Sequence, residues 1–286
     1  MEPASGRPAR LPRPRGRSLS GHVSRPAELV AAVTALALGL PVLALVLRAV
    51  TDGALAATAR SPVVLDALLL SLVTTAVSLV LTLLLGIPLA FVLARRTFRG
   101  SALVETVVDL PIVLPPSVAG LALLLLLGRR GLLGEPLAVL GAEIPFTTLA
   151  VVVAQTFVAA PFFIRSARTG FAGVDRDLED AARVDGASER QLFAAITLPL
   201  AGTALAAGLV MSWARALGEF GATIMFAGNV EGRTQTLPLV VYGEFQGGDV
   251  DASVAAAAIL VIAAFGVLLA ARLFRSRRVL DATGLT

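Results

Sequence analysis

Long apolar runs alternate with short polar segments along the chain. Six runs rich in Leu, Ala and Val come close to or exceed the ~20 residues that carry an α-helix across ~30 Å of hydrocarbon. They lack the period-2 alternation of a membrane β-strand. The pattern therefore predicts an all-α polytopic membrane protein with six transmembrane helices, at about residues 29–47, 67–93, 112–127, 146–164, 200–226 and 252–274.

Composition agrees with a membrane protein, and the charge distribution predicts its orientation. The chain is 56% hydrophobic and 15% charged, whereas soluble domains are about 45–50% apolar and about 25% charged. Of the 24 basic residues, all arginine, 18 lie in the N-terminal tail, the 2–3 and 4–5 connections and the C-terminal end. Because cytoplasmic loops carry the excess of positive charge, we expect both termini in the cytoplasm. We also expect the chain to lie in a lipid bilayer and to cross it several times.

Several residue types that support catalysis or metal binding are absent or isolated. The chain has no cysteine and one histidine, His22, in the basic N-terminal segment, where nothing nearby completes a metal site. It also has no lysine, which a P-loop uses to reach the β- and γ-phosphates of a nucleotide. We therefore expect no enzyme activity, cofactor or metal in this chain, and no nucleic-acid partner; any ATPase involved is a separate polypeptide.

Residues 167–199, here called the charged loop, contain ten charged residues between two apolar runs. Asp175 is suited to cap a first short helix, and Gly186 is suited to the left-handed residue that ends it. Ser188 and Gln191 have the spacing of a capping box that opens a second helix. The loop is predicted to form a helix–turn–helix projecting from the membrane; the alternative is an amphipathic connector lying on the membrane surface.

The spacing Asp180-Ala181-Ala182, three residues, Gly186, nine residues, Ile196-Thr197-Leu198-Pro199 resembles the Glu-Ala-Ala loop of type I ABC importer permeases. Asp180 stands where the family usually has Glu. The resemblance implies the type I ABC importer permease fold, with the loop docked in a cleft of an ATPase subunit. The residues that it implicates in coupling to the ATPase are Glu179, Asp180, Ala181, Ala182, Arg183, Asp185, Gly186, Ala187, Ile196, Leu198 and Pro199.

Two features of the apolar runs are candidates for the transport pathway. Arg215 and Glu219 are one helical turn apart in the fifth run, and ionisable groups in a membrane usually face a cavity or the protein interior. They form either a gate or an ion pair that locks helix packing. A tandem Pro115-Pro116 frees backbone groups that protein or cavity water must satisfy. The candidate pathway or gate residues are Pro115, Pro116, Ser117, Arg215, Glu219, Thr223 and Asn229.

Residues 109–120 and 214–238 look like the corresponding segments of molybdate permease subunits and, less closely, of sulfate permeases. The resemblance implies molybdate import by alternating access across the bacterial cytoplasmic (inner) membrane. It also implies three partners: a second copy of the chain, two ABC ATPase subunits and an extracytoplasmic oxyanion-binding protein. Tungstate, sulfate or thiosulfate remain alternative cargoes, and an ion-coupled secondary transporter is the alternative from a different class.

These patterns divide the chain into four regions. We expect a disordered Arg/Pro-rich cytoplasmic tail at residues 1–27, because that composition cannot form a core. The first transmembrane helix follows at residues 28–50. A permease domain occupies residues 63–275 and includes the charged loop, and a cytoplasmic tail covers residues 276–286.

Overall fold

A computed structural model describes residues 25–141 and 143–283, with side chains described up to residue 269. Within this part of the chain every regular element is a helix, which confirms the predicted all-α class. A π-helical turn, Phe193–Thr197, lies between α9 and α10. The α-helices are α1 Arg25–Thr51, α2 Ala54–Thr58, α3 Pro62–Arg95, α4 Ser101–Val113, α5 Pro116–Leu127, α6 Gly134–Val139, α7 Thr148–Ala172, α8 Arg176–Val184, α9 Glu189–Leu192, α10 Leu198–Leu200, α11 Gly202–Leu217, α12 Gly221–Phe226, α13 Leu237–Gln246 and α14 Val250–Thr283.

Contacts divide the chain into two units after Ala44. Of the first unit, the structure describes residues 25–44, the start of α1, and the side chains at residues 26–44 are all exposed. The second unit contains the remaining helices. Of the predicted tail at residues 1–27, positions 1–24 lie outside the described residues. The predicted tail at residues 276–286 is described up to Thr283, as the end of α14.

Helix α7 forms the centre of the second unit by packing along both α3 and α11. Small residues allow this close approach, as is common between membrane helices. A Cβ added to Gly86 of α3 would lie 2.9 Å from the Phe163 ring, and one added to Gly208 of α11 would lie 2.7 Å from the Ser166 Cβ. The three helices therefore form a tight layer that supports both of the sites described below.

Four of the predicted spans correspond to single long helices that are apolar enough to cross a membrane: Pro26–Thr51, Pro62–Arg95, Thr148–Ala172 and Val250–Leu269. Two further candidates are pairs of helices bent by more than 40°, Ser101–Val113 with Pro116–Leu127 and Glu189–Leu200 with Gly202–Leu217. Among the described residues the count is thus four spans, or up to six if each bent pair is one span.

The third and fifth predicted spans differ from the structure. The third span, predicted at residues 112–127, is broken at its tandem proline: α4 continues through Pro111 to Val113 and meets α5 at 118°. Leu114 and Pro115 both have extended backbones, with ψ of 135°, since a residue before proline is driven out of the helical region.

The prediction of one continuous span at residues 200–226 is wrong. The approach from α9–α10 bends by 68° into α11. Helix α11 then ends at Leu217, and α12 begins only at Gly221. Helix α13 was not predicted at all. It starts at the run Leu237-Pro238-Leu239-Val240, whose four residues are buried, and the Leu237 N–H donates to the Ser71 hydroxyl of α3 at 2.8 Å.

Candidate functional site

The first helix of the charged loop has the predicted caps. The Asp175 carboxylate accepts a hydrogen bond from the Asp177 N–H at 3.0 Å and begins α8. Gly186 ends the helix with a φ of +88°, a conformation that favours glycine. The N–H groups of Gly186 and Ala187 donate to the carbonyls of Arg183 and Ala182, each at 3.0 Å. Both backbone signals that predicted this helix are therefore confirmed.

The second helix, α9, opens with the predicted capping box. The Ser188 N–H donates to the Gln191 side chain at 2.9 Å, and the Gln191 N–H donates to the Ser188 hydroxyl at 3.4 Å. Arg183 then joins the two helices, because its guanidinium donates to Glu189 at 2.8 Å and to Asp180 at 2.7 Å. The hydrogen bonds from Arg183 hold the pKa of the Glu189 carboxyl below its ordinary value. We call the folded unit at residues 175–199 the knob.

The knob carries exposed apolar side chains on α8. Val184 is 88% exposed and Leu178 is 51% exposed, and Ala181 lies between them in sequence and is also exposed. Charged groups of Asp180, Arg183 and Asp185 are exposed beside them. Protein interfaces combine apolar contacts with polar groups, so this exposed part of α8 is a candidate docking surface.

Glu179 has a different environment from the other charged residues of the knob. It is only 5% exposed, although the resemblance to the Glu-Ala-Ala loop implicates it in coupling to the ATPase. Its carboxylate accepts from the Arg95 guanidinium at 2.6 Å and from the Thr197 hydroxyl at 2.7 Å. Arg95 is the last residue of α3, and its distance in sequence explains why spacing within the loop did not reveal the pair.

Three phenylalanine rings lie in the same region, at the base of the knob. The Phe91 ring of α3 is edge-on to Phe171 of α7 and to Phe193 of the π-helical turn, with centroids 5.6 and 5.1 Å apart. Such edge-to-face pairs contribute roughly 0.5–1.5 kcal/mol beyond the burial of their area. Of the remaining predicted coupling residues, Ile196 and Leu198 are half-buried, whereas Pro199 is exposed.

The two helix breaks that interrupt the third and fifth spans lie against each other. A Cβ added to Gly221 would lie 2.8 Å from the Pro116 Cβ and 3.1 Å from the Ser117 nitrogen. One added to Gly120 of α5 would lie 2.6 Å from the Ala222 carbonyl oxygen. The structure thus brings together two segments that are separated by about a hundred positions in the sequence. We call this contact the break site.

Glu219 lies inside the second break and is 1% exposed. One carboxylate oxygen pairs with the Arg215 guanidinium, and the other accepts from the Ala222 N–H at 2.6 Å. The predicted pair therefore exists, but it crosses the end of α11 and also satisfies the first turn of α12. Thr223 is buried beside it, and its hydroxyl has no hydrogen-bond partner among the described residues.

Asn229 is the predicted pathway residue that the structure leaves apart from the break site. It is exposed, follows α12, and its amide nitrogen lies 3.8 Å from the position of a Cβ added to Gly243 of α13. Between α7 and α3, the Gln155 amide donates to the Thr75 hydroxyl at 3.5 Å and the Thr156 hydroxyl donates to the Ser78 hydroxyl at 3.1 Å. Within the described residues, no group of three or more His, Asp or Glu could hold a metal ion.

Comparison with known proteins assigns this architecture to a family. Residues 82–280 match the family model for the binding-protein-dependent transport system inner membrane component. The molybdenum transport system permease protein ModB of Mycobacterium tuberculosis is 45% identical over 203 residues, covering 71% of this chain and 76% of that protein. The probable transport system permease protein NifC of Clostridium pasteurianum is 39% identical over 207 residues, covering 72% of each chain.

Solved structures share the fold at low sequence identity. A bacterial alginate ABC transporter in complex with an alginate pentasaccharide-bound periplasmic protein contains a chain that is 19% identical, with a TM-score of 0.70 over 88% of this chain and 93% of that chain. The inward-facing MetNI methionine ABC transporter gives 20% identity and a TM-score of 0.57 over 75% of this chain and 95% of that chain. The family match, the relatives and the fold agree: this chain belongs to the binding-protein-dependent transport system inner membrane components, as a multi-pass permease with an ABC transporter fold.

Proposed function

We propose that the chain is the membrane-spanning subunit of an ATP-driven importer of molybdate. The observation that carries the proposal is the knob, a capped and anchored helical pair with an exposed apolar face on a membrane-embedded bundle. The cargo is inferred from relatives that are 39–45% identical, several of them named as molybdenum transport permeases.

A separate ATPase supplies the energy in this proposal. The chain lacks the lysine that a P-loop requires, so its own residues do not form that kind of nucleotide site. The apolar face of α8, around Leu178, Ala181 and Val184, is the surface that enters a cleft on the motor. Gly186 and the Arg183 cross-link keep α8 and α9 in one geometry, so the knob moves as a rigid lever. The arginine bias of the sequence supports a cytoplasmic position for this surface.

The break site is the proposed gate. Two short helices, α5 and α12, meet there through glycine and proline rather than through long side chains, so a small shift of one displaces the other. Arg215 is already neutralised by Glu219, and for this reason we assign the pair to positioning α12 rather than to binding an anion.

Two copies of the chain and two ATPase subunits make up the proposed machine, with an external binding protein delivering the dianion. ATP closes the motor subunits and moves the two knobs, and the bundles change from inward-open to outward-open. Hydrolysis then returns the bundles to the inward-open state and releases the anion into the cytoplasm.

Vesicles containing the chain and its ATPase, supplied with the binding protein on the outer face, test the proposal. We expect molybdate uptake that requires ATP inside and the binding protein outside. A tenfold excess of sulfate should leave this uptake unchanged if molybdate is the cargo. Uptake driven by an ion gradient without ATP would overturn the mechanism, and uptake of sulfate in preference to molybdate would overturn the cargo.

A further inference from the structure

Glu179 of the knob contacts both Arg95 and Thr197. The exposed docking surface on α8 does not itself need these two contacts. Both charged side chains are nearly buried, with exposed fractions of 11% for Arg95 and 6% for Glu179. Charge-assisted hydrogen bonds at 2.6–2.7 Å are among the stronger contacts in a protein. Loss of either charged partner would leave the other buried without compensation. The carboxylate therefore holds three segments of the chain at one point.

These three segments lead to different parts of the bundle. Arg95 is the C-terminal residue of α3, a helix of 34 residues. Glu179 belongs to α8, the docking helix of the knob. Thr197 ends the π-helical turn that leads through α10 into α11, and α11 carries Arg215 at its far end. A π-helical turn inside an otherwise α-helical path is frequently found at functional sites, and here it belongs to the same contact.

We propose that Arg95, Glu179 and Thr197 form a clamp that transmits movement of the knob to α3 and α11, with Arg95 as the positioning residue. The inference rests on the proposed function, since it concerns how that machine couples ATP to transport. Without the clamp, the knob keeps its peptide connections to α7 and α11 and the packing of Phe193. It loses the polar link that ties α8 directly to the end of α3.

The second contact of Arg95 supports a positioning role. Its guanidinium also donates to the Val174 carbonyl at 3.4 Å, in the short connection between α7 and α8. The same side chain therefore fixes both the docking helix and the point where that helix leaves α7. A displacement of α8 by the motor then moves the end of α3 and is not absorbed in this connection.

The test compares Arg95→Gln with Arg96→Gln in vesicles containing the complete transporter. Arg96 is the adjacent, exposed arginine just after α3, which makes it a matched control. Two rates are measured for each variant: ATP hydrolysis and molybdate uptake. Mutations in networks that couple distant sites typically change the coupling by an amount that corresponds to roughly a tenfold effect. We therefore expect Arg95→Gln to lower uptake per ATP by about tenfold while hydrolysis continues. Arg96→Gln should keep the wild-type ratio.

A second set of variants separates the clamp from a general effect on folding. Thr197→Val removes one hydrogen bond to the carboxylate but leaves the ion pair, and Thr197→Ser restores the hydroxyl. We expect a lowered ratio of uptake to hydrolysis in the valine variant and a wild-type ratio in the serine variant. If Arg95→Gln does not assemble, the two Thr197 variants still test the clamp. An unchanged ratio of uptake to hydrolysis in Thr197→Val would overturn it.

Spin labels provide a readout that folding alone would not change. The natural chain has no cysteine, so Arg96→Cys and Arg176→Cys place labels only at the end of α3 and the start of α8. In the wild-type background we expect the same distance between the labels without nucleotide and with ATP trapped, because the clamp moves both ends together. A distance that changes on ATP trapping would overturn the inference. Absence of molybdate uptake by the wild-type transporter would count against the proposed function instead.

Discussion

Replacement of Gly186 tests whether the knob is held in one backbone geometry. The residue has a φ of +88°, and a Cβ added there would meet no heavy atom within 4 Å. Any penalty on Gly186→Ala is therefore a backbone penalty, which for an L residue in the left-handed region is roughly 1–2 kcal/mol. Asparagine visits this region more readily, so Gly186→Asn should be milder. A β-branched residue is tolerated less well in this region, so Gly186→Val should destabilise the knob more than Gly186→Ala does.

The assay is hydrogen exchange of the α8 and α9 amides, read by mass spectrometry on the reconstituted protein. Exchange through local opening reports the local free energy, and 1.4 kcal/mol corresponds to tenfold. We therefore expect protection in Gly186→Ala to fall by roughly 5–30-fold. Gly202→Ala is the control, because Gly202 lacks a positive φ and also has open space around its Cβ position. Equal protection in Gly186→Ala and wild type, or equal loss in the Gly202 control, would show that the backbone of Gly186 does not stabilise the knob.

Three further perturbations address the break site and the cross-link of the knob. Gly120→Ala places a methyl group 2.6 Å from a backbone oxygen; it should lower stability by about 1–3 kcal/mol and reduce uptake, measured by thermal unfolding and by vesicle transport. Glu219→Gln leaves its arginine partner without a counter-charge, and because that arginine is partly exposed we expect a loss of about 3 kcal/mol in denaturant unfolding. The pKa of Glu189 is lowered, so the stability contributed by its pair with Arg183 is fully present above about pH 4.5 and is lost as pH falls through the lowered pKa. Hydrogen exchange of the α9 amides, measured as a function of pH, should show this loss.

Each of these outcomes has a matched comparison. Gly202→Ala serves again for Gly120→Ala, and equal melting temperatures for the two variants would contradict the tight contact of α5 with α12. Glu244→Gln, at a half-exposed position on α13 outside any described ion pair, serves for Glu219→Gln. Arg183→Gln should abolish the acid-dependent change at the knob, and a wild-type pH profile in that variant would contradict the assignment to Glu189.

The knob could be predicted from sequence in detail because its signals are local. Capping residues act on backbone groups two or three positions away, so Asp175, Ser188 and Gln191 specify their own hydrogen bonds. The positive φ of Gly186 follows in the same way from the absence of a Cβ. The anchor of the knob could not be found by this reasoning, because Arg95 contacts Glu179 across 84 positions. Only the three-dimensional arrangement places the end of α3 under the knob.

The helix breaks were predicted less well, for a physical reason. The tandem Pro115-Pro116 indicated a break, but the angle of 118° depends on how α5 packs against α12. The end of α11 had no proline signal, and an apolar run through Gly218 reads as one continuous span. The role of Glu219 as acceptor for the Ala222 N–H explains why an ionisable residue occurs there. Helix α13 was missed because ten residues are too few to register as a span.

Whether ATP drives this transporter is decided by the uptake of molybdate per ATP hydrolysed in vesicles whose ion gradients have been collapsed by ionophores. The three components are the chain, its separate ATPase and the external binding protein. We expect uptake to persist without any gradient, to require ATP and to stop when the ATPase is omitted. Uptake that disappears with the ionophores, or that continues without the ATPase, would contradict it.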